Sequence, residues 1–250
     1  MTPAFDGLCN FREVGGVRRG VLYRSAELSR LSVADGERLR GLGIRVICDL
    51  RSDRERAKKP ARLGADSGIR IVPLALQDDA AQRVIRNQLL GCLYGRDGGE
   101  RYRGIVHEYY RQIAFERGER IGAVLRVLAR EENLPAVIHC TAGKDRTGVV
   151  AALVQLLAGV DYGAVMDEYL RTNECMRPQF AKLARVMWVM TGFRFSRAEL
   201  VEMTSAQAEY LDVLHGGLVE RYGGIEGYLR EGCGVEAEVL AGLRGRIGLI

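Results

Sequence analysis

Ile138-His139-Cys140-Thr141-Ala142-Gly143-Lys144-Asp145-Arg146-Thr147-Gly148 is the stretch on which the fold turns. Before it runs Pro135-Ala136-Val137-Ile138, and after it Val149-Val150-Ala151-Ala152-Leu153-Val154-Gln155-Leu156-Leu157. The first piece reads as a buried strand, the second as an amphipathic, well-covered helix. The stretch between is a strand-to-helix loop with a cysteine at its start, a glycine in its middle and an arginine near its end. Successive backbone N–H groups in such a loop can converge on one oxyanion, and the helix adds the positive end of its dipole. Gly143 permits backbone angles or a close approach that a side chain would block. Arg146 offers a planar fork to two phosphate oxygens. Cys140 shares that positive centre, which favours a thiolate, and a thiolate beside a bound phosphoryl group is a nucleophile in place.

These residues resemble the signature loop of cysteine-dependent protein tyrosine phosphatases: His-Cys, five residues, then Arg-Thr-Gly. The fuller Gly-Lys-Asp-Arg-Thr-Gly resembles the atypical bacterial tyrosine phosphatases, relatives of the dual-specificity and phosphoinositide phosphatases. Further pieces fall in that family's order. They are Asn10-Phe11-Arg12-Glu13-Val14-Gly15-Gly16, Leu22-Tyr23-Arg24-Ser25-Ala26-Glu27-Leu28, Asp49-Leu50-Arg51-Ser52, Tyr169-Leu170-Arg171-Thr172-Asn173 and Tyr222 to Leu229. The likeness spans nearly the whole chain. Glu13 departs from it by one carbon, standing where the family often has aspartate.

Working outward, Arg45-Val46-Ile47-Cys48-Asp49-Leu50 and Ile69-Arg70-Ile71-Val72-Pro73-Leu74 read as core strands, and residues 5–24 as a hairpin-like start. Ser32 is placed to cap a helix over Val33–Leu42 that Gly43 ends. Asp53–Lys59 is a helical turn stopped by Pro60. Gln82–Leu93 reads as a helix and residues 95–99 as an exposed loop. Residues 77–101 are open to two readings, a segment covering a site or a surface excursion. Helices are expected over Tyr102–Gln112, Gly118–Arg130, Asp161–Leu170, Pro178–Val189, Ser196–Glu202 and Thr204–Tyr222, with glycine-broken helix from Gly227 to Leu249. Strands thus occur only in the first 140 residues. The expected fold is α/β: a small, mostly parallel central sheet flanked by helices, with a helical excursion in the C-terminal half, forming a single domain over residues 1–250.

Composition narrows the function classes. The chain has 250 residues, 47% hydrophobic and 28% charged, with a formal net charge of +5, which fits a soluble protein with a sizeable core. The charge is mild and scattered, so nucleic acid is not an expected partner. Cys9, Cys48, Cys92, Cys140, Cys175 and Cys233 show no CxxC and read as reduced thiols, mostly core fillers. No run of about 20 apolar residues occurs, so stable membrane insertion is not expected. No early apolar segment follows Met1; cytoplasmic placement is expected, with non-classical secretion left open. His107, His139 and His215 lack ligand spacing, so neither metal nor other cofactor is expected.

The roles follow from the loop and from the resemblance. Cys140 is the candidate nucleophile and Arg146 the phosphate clamp, with the backbone from Thr141 through Ala142, Gly143, Lys144 and Asp145 to Arg146 cradling phosphate. Thr147 could donate its hydroxyl to the Cys140 sulfur or cap the helix. His139 is expected to hold the loop's shape. If the strands are neighbours, Asp49 and Arg51 lie near Cys140 and brace the loop or touch substrate. The leaving group needs a proton, and the resemblance implies Asp145; many tyrosine phosphatases use an aspartate from another loop, for which Asp78 and Asp79 are the alternatives. Lys144, as in related lipid phosphatases, admits substrates with more than one phosphate. The expected activity is hydrolysis of phosphotyrosine, with phosphoserine, phosphothreonine and phosphoinositides as further candidates. Two other classes remain: a catalytically silent phosphate-recognition module, which could discard Cys140, and a loop-cysteine sulfurtransferase, which does not need the Arg-Thr-Gly closure.

Overall fold

Ala136–His139 is the central strand of the sheet, and its four side chains are all buried. The computed structural model describes residues 5–64, 67–95 and 97–248. Arg96, in the loop expected at 95–99, and Leu249, at the end of the last expected helix, lie outside the described residues. In chain order the strands are β1 (Arg12–Glu13), β2 (Leu22–Ser25), β3 (Val46–Asp49), β4 (Arg70–Pro73) and β5 (Ala136–His139). Their spatial order is β1-β2-β5-β3-β4. β1 is antiparallel to β2, as the hairpin-like start implies, and every other pairing is parallel.

The register explains the β-branched runs. Val46, Cys48, Ala136, Ile138 and Leu22 point into the larger core, while Ile47, Val137 and Tyr23 point into the smaller one on the opposite face. A strand buried on both faces needs a near-continuous apolar run rather than alternation. The smaller core is closed by Leu28, Leu31 and Leu39, the last on α1 (Val33–Gly41). Ser32 caps α1 with a reciprocal capping box through Asp35.

On the other face lie α4 (Gly98–Glu116), α5 (Gly118–Leu128), α6 (Asp145–Leu157) and α11 (Ala208–Tyr222). α6 departs from expectation twice. It begins at Asp145, four residues earlier than the apolar run, because the loop's last residues already turn helically. It is also buried on all sides over Val149–Val154 rather than amphipathic; a helix enclosed by others needs no polar face.

Other boundaries also move. α2 spans Asp53–Lys58, and α3 starts at Asp79, with Asp78 as its N-cap accepting from Ala81 N–H at 2.8 Å. The expected helix over Thr204–Tyr222 is split. Thr204 ends α10 (Arg197–Thr204), and Ser205–Gln207 separate it from α11. The remaining helices are α7 (Tyr162–Leu170), α8 (Thr172–Cys175), α9 (Arg177–Met190), α12 (Ile225–Gly227) and α13 (Ala237–Ile247), with a π-helical turn at Tyr228–Gly232. α9 and α10 share a satellite core with Leu93 through Ala184, Met187, Leu200 and Met203. The architecture is α/β with a five-stranded, mostly parallel sheet.

Candidate active site

The carboxyl ends of β5 and β3 open onto the loop that follows Cys140, because the two strands pair in parallel with Asp49 opposite His139. In open parallel sheets this is where sites gather. Cys140 lies almost buried, 2% exposed, at the base of the loop. The backbone N–H groups of Thr141 through Thr147 have no acceptor among the described residues; the first helical bond of α6 is Gly148 N–H to Lys144 carbonyl at 2.8 Å. The head of α6 therefore presents a set of unpartnered amides suited to an oxyanion.

Gly143 makes the turn feasible. Its φ is +66°, and a Cβ there would sit 2.3 Å from the Ser25 carbonyl oxygen, so no side chain fits without moving β2.

A layer of polar side chains from distant segments holds the loop from behind. Asn10 donates to the Ala142 and Gly143 carbonyls, both at 3.0 Å. Arg24 donates to the Gly143 carbonyl at 2.7 Å. Arg12 and Arg24 face each other across β1 and β2, where like charges repel. Glu168 of α7 lies between them, accepting from Arg12 Nε at 3.1 Å and from Arg24 at 3.3 Å. Burial, then the Arg12 charge, lower Arg24 to about 10, against the opposing charges of Glu168 and Cys140. Arg12 also donates to the Thr172 hydroxyl at 3.1 Å. Tyr169 lies against α6 at Gly148, where a Cβ would come within 3.0 Å of its ring. The motif pieces scattered through the sequence thus converge behind one loop.

A second brace runs through β3. Arg51 grips Asp49 with two bonds, Nε to Oδ1 at 2.9 Å and Nη2 to Oδ2 at 2.7 Å. Asp49 Oδ2 lies 3.4 Å from His139 Nε2, and His139 Nδ1 lies 3.2 Å from the Cys140 carbonyl oxygen. The first pair is a close contact without hydrogen-bond geometry, since His139 Nε2 has no hydrogen-bond partner. Burial works to raise Asp49, but Arg51 and His139 hold it well below the usual carboxylate range.

Arg146 is held by a residue that the sequence reading did not single out. Glu55, on α2, accepts from Arg146 Nη1 at 2.6 Å and Nη2 at 2.9 Å, and also from the Thr141 hydroxyl. Its other carboxylate bond, from Ser52 N–H at 3.0 Å, belongs to a capping box that starts α2. Ser-x-x-Glu is legible as a helix start; that the same glutamate meets an arginine far along the chain is not. Arg146 Nε is buried without a partner, as is the Thr147 hydroxyl. Thr147 accordingly makes neither the bond to the Cys140 sulfur nor the helix cap expected of it, the N-cap position being Lys144.

Asp145 accepts from the Tyr110 hydroxyl at 2.8 Å and pairs with Lys144 Nζ at 2.9 Å. The hydroxyls of Tyr110 and Tyr169 lie 2.6 Å apart. Burial opposes ionisation of Asp145, but the Lys144 charge and the Tyr110 hydroxyl leave it below the ordinary carboxylate range. Lys144 also donates to the Ser205 carbonyl at 3.4 Å. Of the alternative acids, Asp79 lines the cleft in front of the loop, whereas Asp78 caps α3 and faces Arg117 at 3.9 Å. The cleft, about 570 Å³, has Thr141, Lys144 and Asp145 on its floor and α3, α4 and α9 among its walls. The segment 77–101 thus contributes a wall of the cleft through α3. His107 and His215 lie elsewhere, against Tyr210 and Tyr162. Cys48 and Cys233 are core thiols that burial pushes up to about 12 and about 11. Cys175 alone among the six is exposed.

The carboxylates make acid sensitivity a checkable property. Burial pushes Glu55 up, but Arg146 and Thr141 bring it down from 4.5 to about 2. A depressed folded value stabilises the fold above the unfolded value and loses that contribution as pH falls through the folded one. Thermal midpoints followed by circular dichroism should fall more steeply between pH 4.5 and 2 in the wild type than in Glu55→Gln. Equal slopes would remove Glu55 from the account.

Comparison with known proteins gives a consistent result. A sequence profile of the tyrosine phosphatase family matches residues 3–248. The chain is 32% identical to the triple specificity protein phosphatase PtpB of Mycobacterium tuberculosis over 96% of each chain. It is 29% identical to a Cupriavidus necator protein assigned as a tyrosine-protein phosphatase, over 96% of this chain and 86% of that one. A tyrosine-protein phosphatase of Nostoc commune is 27% identical over 90% of this chain and 73% of its own length.

Proposed function

The chain belongs to the tyrosine phosphatase family, and from that premise we propose that it hydrolyses phosphotyrosine through a cysteinyl-phosphate on Cys140, within one domain spanning residues 1–250. The observation that carries the reading is the row of unpartnered amides from Thr141 to Thr147, with the unpartnered Arg146 Nε, around a buried cysteine. A phosphoryl group in that cradle has its charge met by N–H dipoles and a guanidinium, and its phosphorus set against the Cys140 sulfur. The sulfur attacks; an S–P bond forms as the P–O bond to the leaving group breaks, and Asp145 gives the leaving oxygen a proton. Water then attacks phosphorus, returns a proton to Asp145 and releases inorganic phosphate and the thiolate. His139, Asp49 and Arg51 keep the Cys140 carbonyl, and with it the loop, in place.

Asp145 sits low in the free loop, but a substrate dianion before it raises a carboxyl group by like-charge repulsion. The Lys144 side chain lines the cleft beside Asp145, a second cation that suits a second phosphate. Phosphoserine, phosphothreonine and phosphoinositides are therefore included as substrates, in keeping with the name of the mycobacterial relative. Assays in EDTA on phosphopeptides of all three hydroxyl types and on phosphoinositides test the reading. Turnover of phosphotyrosine is expected, and its absence throughout the panel would overturn the proposal.

The acid is tested separately. Asp145→Asn is expected to lower kcat by about 10²–10³-fold and remove the alkaline limb of the pH–rate profile. Asp78→Asn should leave the profile in place. If the limb vanishes in Asp79→Asn and persists in Asp145→Asn, the proton comes from α3.

A further inference from the structure

The two helices that wall the cleft mouth carry a surface unlike the rest of the molecule. Between Asp79 and Asp97, and again between Glu174 and Glu199, the chain has no acidic residue. The second stretch holds Arg177, Lys182, Arg185, Arg194 and Arg197, all exposed. Eight of the ten exposed large hydrophobic side chains among the described residues lie on α3, on α9 or in the turn directly after one of them. Single exposed apolar residues need no explanation, but a contiguous patch rimmed by charge marks an interaction surface.

The patch is one surface because the two helix ends are joined. Arg194 donates to the Tyr94 carbonyl at 2.9 Å, and the Tyr94 hydroxyl donates to the Met190 carbonyl at 3.4 Å. Phe193 stands in the turn after α9, 60% exposed, with φ at +65°. A bulky residue in the left-handed region is uncommon and strained, and here it turns a ring outward that touches Trp188 at 4.4 Å between centroids. The Arg197 guanidinium lies 4.2 Å above the Trp188 ring. Cations interleaved with aromatic and aliphatic side chains are the pattern of a helix lying in a bilayer interface.

We propose that α3, α9 and the turn Thr191–Phe195 form a peripheral docking surface for an anionic lipid bilayer. Val189, Phe193 and Tyr94 enter the boundary between headgroups and acyl chains, and Arg177, Lys182 and Arg185 meet lipid phosphates. Charge complementarity selects this occupant: residues 80–96 and 175–198 carry cations and apolar side chains but no carboxylate, the acids Asp79, Asp97 and Glu199 lying at their ends, and a bilayer supplies anions and hydrocarbon at one boundary. α9 has 14 residues, and no helix among the described residues is long and apolar enough to cross a membrane, so the contact is in-plane and reversible. The docked protein would turn its cleft mouth toward the headgroups. Docking goes beyond the hydrolytic reading and stands whether or not the loop cleaves a lipid phosphate.

Trp188, the single tryptophan of the chain, is a built-in reporter. Full-length protein is mixed with vesicles of phosphatidylcholine alone or with phosphatidylserine, and Trp188 emission and cosedimentation are followed. A blue shift and sedimentation with the anionic vesicles are expected, both lost with pure phosphatidylcholine and weakened by added salt. Val189→Glu combined with Phe193→Asp should weaken partitioning at least tenfold while para-nitrophenyl phosphate turnover stays unchanged. Arg177→Glu combined with Arg185→Glu, both exposed positions, should weaken it similarly and serves if the first variant misfolds. Failure to bind anionic vesicles at low salt, or equal binding by a folded variant, overturns the proposal. So does a Trp188 shift produced by a phosphotyrosine peptide but not by vesicles.

Discussion

Cys140→Ser is expected to lower para-nitrophenyl phosphate turnover by more than about 10⁴-fold, measured in EDTA, while leaving phosphate affinity nearly intact. The two side chains are close in size, so the loop and its amides should persist. The buried position, 2% exposed, leaves little space for water to replace the missing sulfur. An un-ionised serine hydroxyl lacks the nucleophilicity of a thiolate, and no histidine is placed to act on it as a base: His139 turns one ring nitrogen to the Cys140 carbonyl and the other toward Asp49. The variant should bind a phosphotyrosine peptide by calorimetry without releasing phosphate. Wild-type turnover in Cys140→Ser would assign the chemistry to another group.

Arg146→Lys is expected to cost about 10²–10³-fold in kcat/KM, the scale seen when one preorganised donor to developing charge is removed. Charge is conserved in this change, so the loss measures geometry. Arg146 spends two terminal nitrogens on Glu55 and keeps Nε unpaired beside the loop. An ammonium cannot hold a bidentate carboxylate and still present a fixed N–H toward phosphate. Glu55→Gln should be milder, about tenfold, because the amide keeps one acceptor for the guanidinium and loses the charge. Since both side chains belong to one pair, the double variant should fall well short of the product of the single losses. Multiplicative losses would mean that Glu55 acts apart from Arg146.

Several features were readable from local sequence because local chemistry dictates them. The doubly buried strands show as β-branched runs at Val46–Cys48 and Ala136–Ile138. Ser32 begins α1 because a hydroxyl satisfies an otherwise unmet N–H. The loop itself is a local object, and Gly143, Arg146 and the head of α6 lie within a few residues of Cys140. Boundaries were less legible where side-chain pattern and backbone disagree. α6 starts inside the loop, before its apolar run, and Ser205–Gln207 interrupt a region whose pattern alone reads as continuous helix.

By itself the sequence determined the residues and spacing of the loop, the α/β class and the family, since each rests on residues adjacent in the chain or in a fixed order along it. Tertiary structure alone decided which charge meets which. Glu55 reaches Arg146, Tyr110 reaches Asp145, and Glu168 separates Arg12 from Arg24. It also removed Asp78 from the cleft and kept Asp79 there. The physical reason is that a buried charge must find a partner or remain costly, and strand order and helix packing decide which side chain lies within reach.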